Sequence, residues 1–278
     1  MRIPLRATAV LVALLTLSLT GCTAGAPPST GTDHATVLPH VHAIVPAPDG
    51  DGFLLGTHDG VYTATSAGQL GTRVGRDNLD AMGLTAVGSD LIASGHPGTL
   101  TPTELGDQNL GIIRSRDGGD TWDPVAFTGE KDFHALAAGP DGTLYAQATG
   151  NNVVLASSDL GVSWTPTGGA LLAFAIVVDA TGRIIATTPD GPQASTDRGV
   201  TFTPLPAAPS LYPIAASPDH QRLVGVDSKG TIWSSTTSDT TWQDVGTVHR
   251  SAQAIATTDA GDILVIDDSG LSLMPSSS

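Results

Sequence analysis

Short apolar runs recur along the chain from residue 42 onwards, and a turn and a second apolar run follow each of them. The first runs begin 40, 52, 40, 38 and 41 residues apart, at His42, Met82, His134, Phe174, Tyr212 and Gln253. The second runs read FLLGT, LIASG, LYAQA, RIIATT, RLVGV and DILVI. Apolar runs bounded by Gly, Pro and Asp are typical of β-strands. A period of about 40 residues indicates a repeated unit of four strands.

A second motif recurs with the same period and predicts a tight turn. SRDGGDTW, SSDLGVSW and STDRGVTF share Ser, Asp, Gly and an aromatic residue at fixed positions, and STTSDTTW is a weaker copy. We expect the Asp to accept backbone N–H groups, the Gly to adopt positive φ and the aromatic ring to pack under the next unit. The residues assigned to these turns are Ser115, Asp117, Gly119, Trp122, Ser157, Asp159, Gly161, Trp164, Ser195, Asp197, Gly199 and Phe202.

The motif resembles the Asp box of BNR-repeat proteins, the sialidase-like β-propellers, in which it forms the turn between the third and fourth strands of a blade. Together with the six repeats, this resemblance implies an all-β fold, a six-bladed β-propeller over residues 34–278. The interval of 52 residues implies an insertion, roughly residues 97–110, in the second blade. The last repeat ends without a fourth strand. We expect an N-terminal strand at residues 34–38 to close the ring there, because an open ring would expose strand edges.

The N-terminus has the features of an export signal. A basic start with Arg2 and Arg6 precedes an apolar run over residues 7–19, which is shorter than the roughly 20 residues of a membrane-spanning helix. The following Leu-Thr-Gly-Cys resembles the bacterial lipobox, whose cysteine is lipidated. We therefore predict a lipoprotein signal peptide (1–21), lipidation of Cys22, a flexible tether (22–33) and anchoring to the outer side of the cell membrane. An ordinary signal peptide with a chance cysteine is the alternative.

Charge and cysteine content narrow the possible functions. The chain has 27 acidic and 12 basic residues, and its formal net charge is −15. Phosphate binding needs clustered Lys and Arg, so nucleic acid is not an expected partner. The single cysteine excludes an intrachain disulfide and a cysteine-based zinc cage. Any metal site must therefore use His, carboxylate or Met.

Five of the eight histidines fall on one face of the predicted propeller, where the first strand of each blade begins and the second ends. They are His40, His42, His58, His96 and His134. The equivalent first-strand position, which carries the six residues that begin the apolar runs, places Met82 between two histidines. This pattern predicts a metal site with the ligands His42, His58, His96, His134 and Met82.

The donor types in this site leave two metals open. Imidazoles with a thioether suit copper, whereas His with Asp59 or Asp132 suits zinc or another borderline ion. The alternative to a metal site is that each imidazole makes an ordinary hydrogen bond in a turn or between blades.

From about residue 40 to its end the chain also resembles bacterial Asp-box lipoproteins labelled glycosylhydrolases or exo-sialidases, through the segments VHAI, THDGVY, SGHPG and DFHAL. The resemblance implies a Tyr nucleophile with a Glu, an Asp acid/base and three Arg. Only Arg76 and Arg250 fall on the expected ligand face, so the Arg triad is missing. Other glycosidases need two carboxylates. The candidate catalytic residues are Asp59, Asp80, Glu104, Asp132 and Tyr212, and Glu104 and Asp107 make the insertion a candidate lid.

The sequence therefore predicts an exported, membrane-anchored lipoprotein whose propeller binds a small ligand, with copper or zinc as candidate ions, at a His-rich face. Two alternatives stay open: a sialidase-like glycoside hydrolase that acts on a glycan, and a scaffold that docks another envelope protein. Metal content, hydrolysis of chromogenic glycosides and capture of partners distinguish the three.

Overall fold

The chain folds into β-sheets throughout the part that the structure describes. The structure is a computed structural model, and it describes residues 39–48, 50, 52–237 and 241–276. Over these residues 23 strands form six separate antiparallel sheets, and a 3₁₀ turn at Thr103–Leu105 is the one helical element. These residues contain no helical segment that could span a lipid bilayer. The predicted signal peptide, Cys22 and the tether lie outside the described residues.

Each sheet is one blade, whose strands follow one another from the channel outwards. Blades one to three contain β1 (Val41–Pro46), β2 (Phe53–Thr57), β3 (Gly60–Ala64), β4 (Leu70–Arg73), β5 (Asp80–Val87), β6 (Asp90–His96), β7 (Ile112–Ser115), β8 (Asp123–Ala126), β9 (Phe133–Ala138), β10 (Leu144–Ala148), β11 (Val153–Ser157) and β12 (Thr165–Ala170). Blades four to six contain β13 (Ala175–Val178), β14 (Ile184–Thr187), β15 (Gln193–Ser195), β16 (Thr203–Pro204), β17 (Leu211–Ala216), β18 (Arg222–Asp227), β19 (Thr231–Thr236), β20 (Gln243–Thr247), β21 (Ala252–Thr257), β22 (Ile263–Asp267) and β23 (Gly270–Met274).

The six innermost strands form a closed ring. The strands β1, β5, β9, β13, β17 and β21 contact one another in this order, and β21 contacts β1. At the closing contact the Val41 amide donates a hydrogen bond to Gln253 Oε1 (2.9 Å). The predicted six-bladed β-propeller is therefore confirmed. The sixth sheet has three strands among the described residues, and the predicted closing strand at residues 34–38 lies outside them.

The hydrophobic core lies between neighbouring blades. Between the second and third blades, Ile92 and Ile112 belong to one cluster with Phe133 and Leu144, and all four side chains are fully buried. Similar clusters occupy the other five interfaces. Because neighbouring blades cover both faces of each sheet, its second strand is a continuous apolar run rather than an alternating one. The strands β2, β10 and β14 are buried at every position.

The three predicted Asp boxes form the turns between the third and fourth strands of blades two, three and four. In the first box Ser115 Oγ donates to Asp117 Oδ1 (2.7 Å) and accepts the Gly119 amide (2.8 Å), and the Thr121 amide donates to Asp117 Oδ1 (2.9 Å). The φ of Gly119 is 98°, a value that other residues rarely adopt. The same bonds recur in the other two boxes. The box is thus a structural turn.

The aromatic ring of each box packs against the preceding blade, and the expectation that it packs under the next one is wrong. Trp164 of the third blade stacks on Phe133 (5.9 Å between centroids) in a cluster that includes Ile112 of the second blade. Trp122 and Phe202 likewise join clusters shared with the blade before their own. The turn carries the ring to the face of the blade that meets its predecessor.

Acid is expected to destabilise the propeller through these turns. Hydrogen bonds led by those from Ser163 and Thr201 lower the pKa values of Asp159 and Asp197 from 3.8 to about 2. A lowered folded-state pKa contributes stability above the unfolded-state pKa, and this contribution is lost as the pH falls from about 4 to about 2. The melting temperature, followed by circular dichroism, should fall over that range, and less steeply in Asp159→Asn/Asp197→Asn. Identical acid-induced losses in both proteins would argue against this role.

The predicted insertion in the second blade connects β6 to β7 and packs against the blade. Leu105 and Leu110 of the insertion are buried in the cluster between the first and second blades. The Gln108 carbonyl lies 3.1 Å from His96 Nδ1. The insertion therefore fixes the backbone beside His96.

Candidate functional site

A β-bulge interrupts the innermost strand near its start in five of the six blades. The unpaired residues are His42, Met82, His134, the pair Tyr212 and Pro213, and Gln253. In the fourth blade Phe174 directly precedes β13. A bulge redirects the side chain of the extra residue, and bulges are frequent beside functional sites. The repeat position singled out in the sequence is thus the place where the strand bends.

These six residues line one mouth of the central channel. The channel has a volume of about 990 Å³ and is lined by the innermost strands of all six blades. In ring order the six residues are His42, Met82, His134, Phe174, Tyr212 and Gln253. We call the side of the first three the histidine half of the mouth and the side of the last three the aromatic half.

The first triad in the histidine half consists of His42, His58 and Asp80. His42 is the bulge residue of β1, His58 follows β2, and Asp80 begins β5 in the next blade. His42 Nε2 lies 3.3 Å from His58 Nδ1 and 3.4 Å from Asp80 Oδ1. His58 Nδ1 lies 2.9 Å from Asp80 Oδ2. Three potential metal donors from two blades therefore converge on one point.

The second triad consists of His96, Asp132 and His134. His134 Nε2 lies 2.7 Å and His96 Nε2 lies 3.7 Å from Asp132 Oδ2. Thr149 Oγ1 donates a hydrogen bond to the same carboxylate oxygen (2.9 Å). His96 Nδ1 faces the Gln108 carbonyl at 3.1 Å. If Nδ1 carries the proton, the lone pair of His96 Nε2 is left for an ion, which is the usual arrangement of a metal-binding imidazole.

The two triads are neighbours, and they form at equivalent places in the repeat, each at the junction between two consecutive blades. Asp80 and His96 are direct cross-strand partners on β5 and β6, and the Cα atoms of such partners lie about 4.5–5.5 Å apart. In both triads the end of a second strand supplies one His and the start of the following blade supplies the Asp. Met82 is the bulge residue of the second blade, which both triads share.

Two of the three donor spacings in the first triad suit a tetrahedral ion, whereas His58 Nδ1 and Asp80 Oδ2 are closer together, at 2.9 Å. Donors 2.0–2.1 Å from a tetrahedral zinc ion are roughly 3.3–3.4 Å apart, which matches both distances from His42 Nε2. Asp80 Oδ1 is buried and has no hydrogen-bond partner within the described residues, because the His42 contact lacks hydrogen-bonding geometry. A buried, unsatisfied carboxylate oxygen requires a partner. An ion within the triad would supply that partner.

The electrostatics of the mouth favour the charged form of Asp80 and the neutral forms of His134 and His40. Burial raises the pKa of Asp80, but the neighbouring imidazoles of His42 and His58 outweigh burial and bring the pKa below its usual value. Burial lowers the pKa of His134, although Asp132 partly opposes this effect. Burial also lowers the pKa of His40, whose ring lies 4.9 Å from that of His42. Carboxylate and neutral imidazole are the forms that bind metal ions.

The structure groups the predicted site residues differently from the expectation. The four histidines expected in a single site are divided between two triads, each with its own carboxylate. Asp59, which was expected beside the histidines, instead lies 3.4 Å from Arg73 and accepts a hydrogen bond from Tyr62 (3.2 Å). It therefore interacts with the outer strands of its own blade.

The candidate catalytic residues are spread over the face. Glu104 is exposed in the insertion, as is Asp107. Asp132 is buried in the second triad, and Tyr212 lies in the aromatic half of the mouth. Among the described residues no hydrogen bond or ion pair joins Asp59 to Glu104 or to Asp132.

Asp80 is the member of the first triad that the sequence interpretation did not assign to a metal site. It stands two residues before Met82, just as Asp132 stands two residues before His134. The two carboxylates therefore occupy the same position of the repeat. This shared repeat position could have identified Asp80 as a candidate metal ligand from the sequence.

Comparison with known proteins supports the propeller fold but does not assign the chain to a family. No family model and no curated protein matches the chain. Among solved structures, the GH74 enzyme of Niastella koreensis is similar with a TM-score of 0.56 and 20% identity, over 86% of this chain and 37% of that chain. The GH74 xyloglucanase of Xanthomonas campestris is similar with a TM-score of 0.54 and 17% identity, over 87% of this chain and 46% of that chain. A chain in the structure of a nidogen/laminin complex is similar with a TM-score of 0.59 and 12% identity, over 80% of this chain and 88% of that chain.

These similarities reach only part of the enzymes concerned. The chain spans less than half the length of either GH74 enzyme. Identities of 20% or less show the propeller fold alone, and one fold carries many functions. The function must therefore be argued from the channel mouth.

Proposed function

We propose that the protein binds divalent transition-metal ions, zinc in the first place, at the two triads. The observation that carries the proposal is the triangle of His42 Nε2, His58 Nδ1 and the Asp80 carboxylate, with edges of 2.9, 3.3 and 3.4 Å. Two imidazoles and a carboxylate are a donor set for a borderline divalent ion.

The donor set favours zinc over Cu(I). Each triad combines two imidazoles with a carboxylate. Cu(I) prefers soft sulfur ligands, and the sulfur at this mouth belongs to Met82. Three protein ligands leave a further coordination position on zinc, as in catalytic zinc sites. The proposed ions can therefore accept a donor atom from an exogenous ligand.

We also propose a cellular setting for this domain, which is the outer side of the cell membrane. The export signal and the lipobox resemblance at Cys22 support this setting. The polar residues 22–33 have the composition of a flexible tether between the anchor and the propeller.

Metal content after dialysis tests the metal proposal. Protein dialysed against zinc and then against buffer should retain two equivalents, and His42→Ala/His134→Ala, which removes one ligand from each triad, should retain almost none. His249 is exposed and belongs to neither triad, so His249→Ala should retain two. Equal zinc contents in all three proteins would mean that the imidazoles make only hydrogen bonds between blades. The same dialysis with copper tests the choice of metal.

Glycoside hydrolysis is the second candidate, and the fold similarity to GH74 enzymes favours it. Such chemistry needs two carboxylates roughly 5–9.5 Å apart across the scissile bond. Asp80 and Asp132 are the carboxylates of the two triads at the mouth. Hydrolysis of chromogenic glycosides by the metal-free protein, with its loss in Asp80→Asn, would support this function.

A further inference from the structure

The aromatic half of the mouth is a recognition surface that the proposed metal binding does not use. Phe174 and Tyr212 are 41% and 56% exposed, and their ring centroids lie 5.1 Å apart with the planes at 55°. By contrast, Phe53 and Phe133 are buried between blades. A pair of exposed rings in a concave mouth is typical of a ligand site, because such sites combine apolar walls with a few polar groups.

One buried threonine holds the backbone of both aromatic residues. The Phe174 amide donates to the Thr187 carbonyl (2.8 Å), and Thr187 Oγ1 donates to the Tyr212 carbonyl (3.1 Å). Thr187 is fully buried at the end of β14. The bulge of β17 then turns Tyr212 towards the mouth. The aromatic pair is therefore preorganised, which lowers the entropic cost of binding a ligand.

The charges around the mouth restrict what can bind there. The residues that line the described channel include neither Lys nor Arg. Asp80 and Asp132 in the triads would repel an anionic donor group in the absence of a metal ion. A ligand with such a group therefore needs an ion in the histidine half to compensate its charge.

We propose that the mouth binds an aryl ligand that carries an anionic oxygen donor. The donor binds a triad metal ion, and the ring packs on Phe174 and Tyr212. The proposal rests on the proposed metal binding for the donor and on the aromatic pair for the ring. β9, which carries His134, contacts β13, which Phe174 precedes, so the second triad adjoins the aromatic half. Aromatic rings prefer tilted or offset contacts with one another. Because the ring planes of Phe174 and Tyr212 are at 55°, the ring of a ligand can make both kinds of contact with this pair.

Two hydroxamates test the proposal because they share a metal-binding group and differ in the attached group. Benzohydroxamate carries a phenyl ring and acetohydroxamate a methyl group. In calorimetric titrations of the zinc-loaded protein, benzohydroxamate should bind about tenfold more tightly than acetohydroxamate. A tenfold difference in affinity is expected when a ring is buried and makes an aromatic contact. In Phe174→Leu/Tyr212→Leu this preference should fall to about twofold with acetohydroxamate affinity unchanged. Val200→Ala, an exposed apolar residue of an Asp box, should keep the full preference.

The outcomes separate this proposal from the metal site on which it depends. Equal affinities of the wild-type protein for both hydroxamates, or a preference that survives in Phe174→Leu/Tyr212→Leu, overturn the aryl site and leave zinc binding intact. Failure of both hydroxamates to bind a protein that retains zinc also overturns it. A protein that retains no zinc overturns the metal proposal and the aryl site together.

Discussion

Asparagine in place of Asp80 is expected to weaken zinc binding at the first triad by about 100-fold or more, while the second triad keeps its affinity. Loss of a group that merely orients a ligand already costs 10–100-fold, and Asp80 is the charged donor of its triad. Calorimetric titration of Asp80→Asn should therefore show one tight equivalent of zinc instead of two.

Asp59→Asn is the matched control for this experiment. Asp59 follows His58 in the chain, but its carboxylate pairs with Arg73. Both variants remove one negative charge, so a general electrostatic effect would weaken zinc binding in both. Equal affinities in Asp59→Asn and Asp80→Asn would refute the assignment of Asp80 as a ligand.

Alanine in place of Phe133 is expected to lower the free energy of unfolding by about 3–5 kcal/mol, the usual cost of removing a fully buried ring. The ring stacks on Trp164 and lies 5.5 Å from the ring of Phe127. It lies between the second and third blades, where its loss leaves a cavity at an interface on which both blades depend. Urea unfolding followed by circular dichroism measures the change.

Phe174→Ala is the control for this second experiment, because it removes the same ring from an exposed position. Its free energy of unfolding should change by no more than about 0.5 kcal/mol. A loss in Phe133→Ala as small as that in Phe174→Ala would show that the blade interface does not form the core.

The number of blades and the ring of mouth residues could be predicted because both follow from the period of the sequence. In a closed ring of equal units, a given repeat position reaches the same place in every blade. His42 and His134 therefore had to meet at one mouth, as did Phe174 and Tyr212. The structure places all four on the channel.

The pairing of side chains could not be predicted in the same way, because it depends on contacts between blades. Asp59 is next to His58 in the sequence, yet the two residues form the turn between β2 and β3, and Asp59 contacts Arg73 rather than the histidines. Asp80 belongs to the following blade and still lies 2.9 Å from His58. The single expected site is divided into two triads for this reason.

The bulges were also beyond the reach of the sequence. A bulge is a mismatch in the pairing of two strands, and the apolar pattern of β1 or β5 alone does not show how either pairs with its neighbour. The pattern likewise did not show which neighbouring blade Trp164 would contact. Repeat position was therefore predictable, whereas side-chain direction required the structure.

Anomalous diffraction at the zinc absorption edge, from crystals of the zinc-loaded protein, tests the central claim most directly. Two peaks are expected at one mouth of the six-bladed ring, one within reach of His42, His58 and Asp80 and the other within reach of His96, Asp132 and His134. Zinc peaks confined to other parts of the surface, or no peak in the histidine half, would contradict a metal-binding mouth.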